Sequence, residues 1–135
     1  MAEINWLLEE TVRAVHSRQI SEHGGRPGIR DEGLLLSALA RPQNLAAYGD
    51  PPPDLAALAA SYAYGIARNH PLVDGNKRVA LVAARTFLLI NSTDLKATQE
   101  EKYVMFLRLA EGQLSEDDLA RWIRQHIRPV SDGPQ

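Results

Sequence analysis

The sequence predicts an all-α protein, a compact bundle of about six helices. Six segments carry apolar residues at helical spacing, and glycine, proline or short polar runs separate them. No segment is rich in strand-type alternation. The chain has 135 residues, 44% of them hydrophobic and 24% charged, which is typical of one globular domain.

Composition and charge exclude several classes of function. The net charge of −2 argues against a general nucleic-acid binder with a basic face. The chain has no cysteine, so disulfides, thiol catalysis and zinc–thiolate sites are excluded. The N-terminus lacks signal-peptide features, and the longest apolar run, 79–90, is too short to span a membrane. We expect a soluble cytoplasmic protein that contacts neither nucleic acid nor a membrane.

The first predicted helix covers residues 5–23. Asn5 can cap its start, and Gly24 with Gly25 ends it. The predicted inward face of this helix contains Leu8, Val12 and Val15. We expect the histidines at positions 16, 23 and 126 to lie at the surface, because none has a partner at metal-ligand spacing.

Residues 24–31 cannot continue the helix, because they include three glycines, a proline and two arginines. An exposed loop or short hairpin is therefore predicted there. Asp31 can cap a second helix over about 32–40. Pro42 is expected to stop that helix, which leaves 41–53 as a loop.

The third and fourth predicted helices form the centre of the bundle. Asp54 can cap a helix over 55–69. The next, about 76–91, is apolar nearly all round from Val79 onward, so we expect it to be buried.

Two further helices complete the predicted bundle, at about 98–111 and 115–127. The inward residues expected in these helices are Tyr103, Phe106, Leu107, Ala110, Leu119, Trp122, Ile123 and Ile127. We predict one domain over 1–128 and a flexible C-terminal tail over 129–135.

The stretch between the third and fourth helices concentrates groups that carry chemistry. His70 offers an imidazole, a side chain that often acts as a general base, and Asp74 offers a hard oxygen ligand for Mg²⁺. Asn76, Lys77 and Arg78 open the buried helix, whose N-terminus attracts phosphate through unpaired N–H groups and the helix dipole. Taken singly, each residue has a simpler interpretation as a loop residue, a cap or a solvated cation. Together they predict a base, a metal ligand and an anion site.

The run His70-Pro71-Leu72-Val73-Asp74-Gly75-Asn76-Lys77-Arg78-Val79-Ala80-Leu81 resembles the Fic/Doc signature H-P-F-x-[DE]-G-N-G-R-x-x-R. Lys77 replaces the eighth-position glycine and Leu81 the final arginine, and both departures are typical of the Doc branch. Leu72 stands in place of the usual phenylalanine and should still pack the loop onto the core. The runs at 24–31 and 39–43 also resemble Doc segments.

The resemblance implies a role for each of these residues. His70 would be the general base, Asp74 would hold Mg²⁺ on ATP, and backbone N–H groups would bind phosphate. The phosphate-binding residues would be Gly75, Asn76, Lys77 and Arg78. The flap beside the site, which would align the target by strand addition, would be Arg26, Pro27, Gly28, Ile29 and Arg30. Whether Arg26 and Arg30 contact substrate or only solvent is left open.

The resemblance also implies a biological role. A Doc-like protein would be the toxin of a toxin–antitoxin pair. The toxin would move the terminal phosphate of ATP to a serine or threonine hydroxyl of elongation factor Tu. A Phd-type antitoxin would neutralise it. Two alternatives are a Fic-type nucleotidyl transferase, which transfers AMP, and an inactive homologue that only binds a partner. Lys77 and Leu81 argue against AMP transfer, and intact His70, Asp74 and Asn76 argue against loss of activity.

Overall fold

Six helices and one two-stranded antiparallel sheet make up residues 3–130, which the computed structural model describes. The elements are α1 Glu9–His23, α2 Glu32–Tyr48, α3 Leu55–Asn69, α4 Asn76–Ile90, β1 Thr93–Leu95, α5 Gln99–Ala110, α6 Glu116–His126 and β2 Ile127–Pro129. The predicted all-α fold is confirmed. No helix within residues 3–130 has both the length and the apolar character needed to cross a membrane.

The core lies around α3 and α4, which pack against each other and against helices from both sides. Ten of the fifteen residues of α3 are buried, so this helix has little surface left for water. Gly65 lets α2 approach closely, since a Cβ there would lie only 3.2 Å from the Cα of Ala38. The ring of Tyr62 packs on Phe87 at a centroid distance of 5.0 Å, and its hydroxyl accepts a hydrogen bond from the Leu7 amide. Because α3 ends at Asn69 and α4 begins at Asn76, the packing of these two helices fixes both ends of residues 70–75, which we call the signature loop.

Side-chain caps start four of the helices, and the caps predicted at Asp31 and Asp54 are confirmed. Asp31, Asp54, Thr98 and Ser115 each accept a hydrogen bond from the amide three residues on. The cap predicted for Asn5 is wrong. The first helix begins at Glu9, and Asn5 instead bonds with the backbone and side chain at the end of α4.

The predicted stop at Pro42 is also wrong, because α2 continues through this residue to Tyr48. Proline removes one backbone hydrogen bond and crowds the preceding turn. Here the apolar stripe keeps its helical spacing on both sides of the proline, and Pro42 itself is buried. Burial of that stripe outweighs the missing hydrogen bond, so residues 41–48 are helix and not loop.

The inward faces predicted for α1 and α5 differ from the buried faces in the structure. Leu8 is 62% exposed and precedes α1, whereas Val12 is buried as predicted. In α5 the buried residues are Lys102, Phe106 and Leu109, so Phe106 was placed correctly. Tyr103 is 57% exposed and does not belong to the core. Several residues qualify for an inward face at this spacing, and packing against α4 selects one set.

The second strand pairs with the first in antiparallel register, with Thr93 opposite Pro129. The amide of Val130 also donates to the carbonyl of Ser92. The start of the predicted tail is therefore paired with β1, and residues 131–135 of that tail lie outside the described residues.

Candidate active site

The loop between α3 and α4 is closed by the side chain of Asn76, the first residue of α4. Its Oδ1 accepts from the Leu72 amide and its Nδ2 donates to the Leu72 carbonyl, both at 3.0 Å. Asn76 is 5% exposed, and Leu72 is fully buried. The leucine at the usual phenylalanine position therefore anchors the loop in the core, as expected.

The same amide orients His70. Nδ2 of Asn76 lies 3.1 Å from Nδ1 of His70. The bond from the Leu72 amide identifies Oδ1, so Nδ2 is the donor and Nδ1 of His70 must accept. A neutral imidazole held in this way carries its own proton on Nε2. His70 is exposed and has a left-handed backbone, with φ of 54°.

Arg30 holds the backbone of His70 from the flap side. Its Nε donates to the His70 carbonyl at 2.7 Å, and its Nη2 donates to the Asn69 carbonyl at 2.9 Å. These carbonyls end α3, where a cation also meets the negative end of the helix dipole. The guanidinium of Arg30 therefore caps α3.

The flap pairs with the signature loop instead of forming its own hairpin. Ile29 forms an antiparallel bridge with Leu72. The Arg30 amide donates to the Pro71 carbonyl at 2.7 Å, and the Val73 amide donates to the Gly28 carbonyl at 3.1 Å. The predicted exposed loop is confirmed, and it lies as an extended segment beside the site. Arg26, Pro27 and Gly28 are all exposed.

Asp74 is exposed and is held at three points. Its Oδ2 accepts from the Arg26 amide at 3.1 Å, and its Oδ1 accepts from the Gly75 amide at 2.9 Å. Nε2 of His16 lies 3.1 Å from the Asp74 carbonyl, and since a carbonyl only accepts, His16 donates. His16 is 4% exposed, so the prediction of a surface histidine is wrong there.

The start of α4 has no side-chain cap, unlike α2, α3, α5 and α6. Gly75 occupies the N-cap position with φ of 84°, a conformation that glycine adopts without strain. Within residues 3–130, the amides of Asn76, Lys77 and Arg78 have no acceptor. Three open N–H groups at the positive end of a helix dipole form a site for an anion.

The two cations of the signature differ in their surroundings. The ammonium of Lys77 lies 4.7 Å from the ring centroid of Tyr103 on α5, a cation–π contact. Arg78 is exposed and makes no ion pair within the described part of the chain. Tyr103 was placed in the core by helical spacing, and no signal near it in the sequence indicates contact with Lys77.

The side chains of the candidate site fit a metal ion only when a bound substrate supplies further ligands. The described residues contain no group of three histidine, aspartate or glutamate side chains that could hold a metal. Asp74 is one exposed carboxylate next to the anion site. Mg²⁺ is commonly bound by one or two carboxylates together with water and substrate phosphates, which this arrangement accommodates.

A surface cavity of about 430 Å³ shares no residue with this site. It is lined by Arg41, Asn44, Leu45, Tyr48, Gly49, Ser61 and Glu116. Arg41 pairs with Glu116, and both Arg41 and Arg68 contact the ring of Tyr64. Because Arg41 and Glu116 neutralise each other, this cavity offers little charge to a ligand, and the signature loop is the better candidate active site.

Comparison with known proteins identifies the family of the chain. The model of the Fic/DOC family matches residues 6–88, which contain the flap, the loop and most of α4. The Toxin Doc of Mycolicibacterium smegmatis is 51% identical over 74 residues, which cover 55% of this chain and 57% of that relative. The Protein kinase doc of Escherichia phage P1 is 33% identical over 116 residues, which cover 86% of this chain and 90% of that protein. The chain thus belongs to the Fic/Doc family, and its relatives place it in the Doc branch.

Proposed function

We propose that the chain is the toxin of a toxin–antitoxin pair, an ATP-dependent phosphotransferase. It would move the terminal phosphate of ATP to a serine or threonine hydroxyl of a translation factor of the elongation factor Tu class, and so arrest translation. One observation carries the proposal: the uncapped start of α4 presents three N–H groups beside His70 and Asp74. The toxin and kinase names of the two relatives support the biological role.

Phosphate binding is assigned to the start of α4. The amides of Asn76, Lys77 and Arg78 would donate to phosphate oxygens, and the guanidinium of Arg78 would neutralise their charge. Asp74 would hold Mg²⁺, which supplies positive charge to the phosphates when bound. Since Gly75 and Arg26 donate to this carboxylate, it is already oriented before nucleotide arrives.

His70 is assigned as the general base. The hydroxyl oxygen of the target attacks the terminal phosphorus, the bond from that phosphorus to the ADP oxygen breaks, and the hydroxyl proton moves to the imidazole. Nε2 can accept this proton only when the other ring proton is on Nδ1. That N–H would oppose the donor group of Asn76, so the base role requires the bond between Asn76 and His70 to open when the target binds.

Two substitutions favour phosphate transfer over AMP transfer. Lys77 adds a long side chain where the Fic signature has glycine, and Leu81 removes the last arginine of that signature. Lys77 is directed toward Tyr103 on α5. A nucleotide that follows the Fic orientation would meet this side chain, whereas a reversed nucleotide places its terminal phosphate near His70.

The partners follow from the same role. The flap, whose residues 26–28 are exposed, offers an extended segment on which a target could add a strand. A Phd-type antitoxin would neutralise the toxin in the cytoplasm, where the translation factor acts.

Mass spectrometry of elongation factor Tu incubated with the chain and ATP–Mg²⁺ tests the chemistry. We expect a phosphate adduct on a serine or threonine, with release of ADP. An AMP adduct with release of pyrophosphate would establish the nucleotidyl transferase instead. Absence of any adduct from a folded chain would favour the inactive, partner-binding homologue.

Expression in cells without an antitoxin tests the biological role. We expect growth arrest, and we expect His70→Ala to abolish it while the protein stays folded. His23→Ala is the matched control, because His23 is exposed at the end of α1 and should leave the arrest unchanged. Continued arrest by a folded His70→Ala protein would contradict the assignment of the base.

A further inference from the structure

A second cationic cleft lies away from the signature loop. It is formed by the middle of α4, by β1 and by the start of α5, and it has a volume of about 510 Å³. Its charged lining residues are Arg85, Asp94, Lys96, Glu101 and Lys102. Arg85 follows Asn76 by nine positions on α4, which places it about 13 Å along the helix from the anion site.

Lys102 is the unusual residue of this cleft. It is 8% exposed, yet no carboxylate within residues 3–130 comes within 4 Å of its ammonium. Its aliphatic stem is buried, whereas its ammonium reaches solvent at the cleft, since it is not among the fully buried polar atoms that lack a hydrogen bond within residues 3–130. Burial, followed by the nearby positive charges of Arg85 and Lys96, lowers the pKa of Lys102.

The carboxylates nearby are already engaged. Asp94 binds Arg85 at 3.0 Å and Lys96 at 3.5 Å. Glu101 accepts from the Thr98 amide through Oε1, and its Oε2 lies 3.8 Å from His126. Three cations therefore share the cleft with two carboxylates, and Lys102 is the one that lacks an anionic partner.

We propose that this cleft binds a phosphate group, with Lys102 as the central ligand and Lys96 and Arg85 at its rim. A multivalent oxyanion would neutralise the unpaired ammonium and could accept hydrogen bonds from more than one of the three cations. The phosphate can come from inorganic phosphate or from a nucleotide. The site is separate from the signature loop and does not depend on the proposed transfer reaction.

Isothermal calorimetry with inorganic phosphate tests the proposal, with chloride used to hold the ionic strength constant. We expect Lys102→Met to weaken phosphate binding at least tenfold and to remove the rise in melting temperature that phosphate produces. Arg108→Met is the matched control, since Arg108 is an exposed cation on the same helix and should leave binding unchanged. Unchanged affinity in Lys102→Met would overturn the site.

Phosphate could also bind at the start of α4, and Arg78→Ala separates the two sites. Binding that is lost in Arg78→Ala but kept in Lys102→Met would assign the anion to the signature loop alone and overturn the proposal. Repeating the titrations with ADP distinguishes the sources, because a nucleotide phosphate in the cleft should depend on Lys102 as inorganic phosphate does. If Lys102→Met weakens the binding of inorganic phosphate but not of ADP, the free phosphate ion is the ligand of the cleft.

Nuclear magnetic resonance of the unmodified chain provides a test that does not require a variant to fold. The Nζ resonance of Lys102 reports the pKa of its ammonium in the presence of Arg85, Asp94, Lys96 and Glu101. Addition of phosphate should raise that pKa, because a bound anion favours the charged form. A pKa that does not change at saturating phosphate would contradict contact between the anion and Lys102.

Discussion

Asn76 donates to Nδ1 of His70 across 3.1 Å with the same amide group that closes the loop on Leu72. One side chain therefore sets both the path of the loop and the tautomer of the imidazole. Because the amide is buried and its three contacts are mutually consistent, the tautomer follows from the fold and not from solvent.

Asn76→Asp should reverse the tautomer of His70. A carboxylate only accepts, so the imidazole would have to present an N–H at Nδ1. The variant also loses the donor to the Leu72 carbonyl, which we expect to reduce the free energy of unfolding by about 1–3 kcal/mol. Nitrogen-15 shifts of labelled histidines measure the change, and His23 serves as an internal reference. An unaltered His70 tautomer in the variant would show that Asn76 does not control it.

Arg30→Met should weaken the attachment of the flap and displace His70. The guanidinium bonds to two carbonyls at the end of α3, and the exposed location limits their contribution to about 1 kcal/mol. We expect faster hydrogen exchange at the Asp31 amide, which donates to the Pro71 carbonyl, and weaker growth arrest. Arg108→Met is the control, because Arg108 is an exposed cation on α5, outside the flap and the signature loop. Equal effects of the two substitutions would rule out a specific clamp.

Gly25→Ala should displace the carboxylate of Asp74 and weaken binding of ATP–Mg²⁺. A Cβ at this position would lie 2.8 Å from Oδ2 of Asp74, which is too close. Gly24→Ala is a matched control, since both glycines have positive φ but the space around Gly24 is open. Each substitution should cost about 1–3 kcal/mol of stability, because side chains rarely adopt these positive-φ conformations, and only Gly25→Ala should alter metal-dependent nucleotide binding measured by calorimetry. The same loss in both variants would indicate backbone strain alone.

Asp94→Asn should make the free energy of unfolding less dependent on pH in the acidic range. The hydrogen bonds from Arg85 hold the pKa of Asp94 below its ordinary value, despite the opposing effect of burial. A lowered pKa in the folded state contributes stability above the ordinary value, and that contribution is lost as the pH falls below about 4. Because Arg85 is about half exposed, we expect a difference of about 1 kcal/mol near pH 7 that shrinks toward pH 3. Urea unfolding over this range measures it, and a constant difference would contradict the ion-pair origin.

Much of the fold and the residues of the candidate site could be predicted from local signals. Asp31, Asp54, Thr98 and Ser115 cap their helices within four residues of chain, and apolar spacing reports the buried faces of α3 and α4. The run 70–81 likewise has a histidine, a carboxylate and a helix start within nine residues, so a candidate site can be recognised without coordinates. These features depend on interactions between neighbours along the chain.

The sequence by itself thus determined the helices, their order and the residues of the signature, because caps and periodicity act over a few positions. Only the tertiary structure decided that α2 continues through Pro42, that His16 binds the loop at Asp74, and that Arg30 caps α3. It also placed the ammonium of Lys102 at a cleft where no carboxylate of residues 3–130 lies within 4 Å. Each of these outcomes depends on packing or hydrogen bonds between segments far apart in the chain, where burial outweighs local preference.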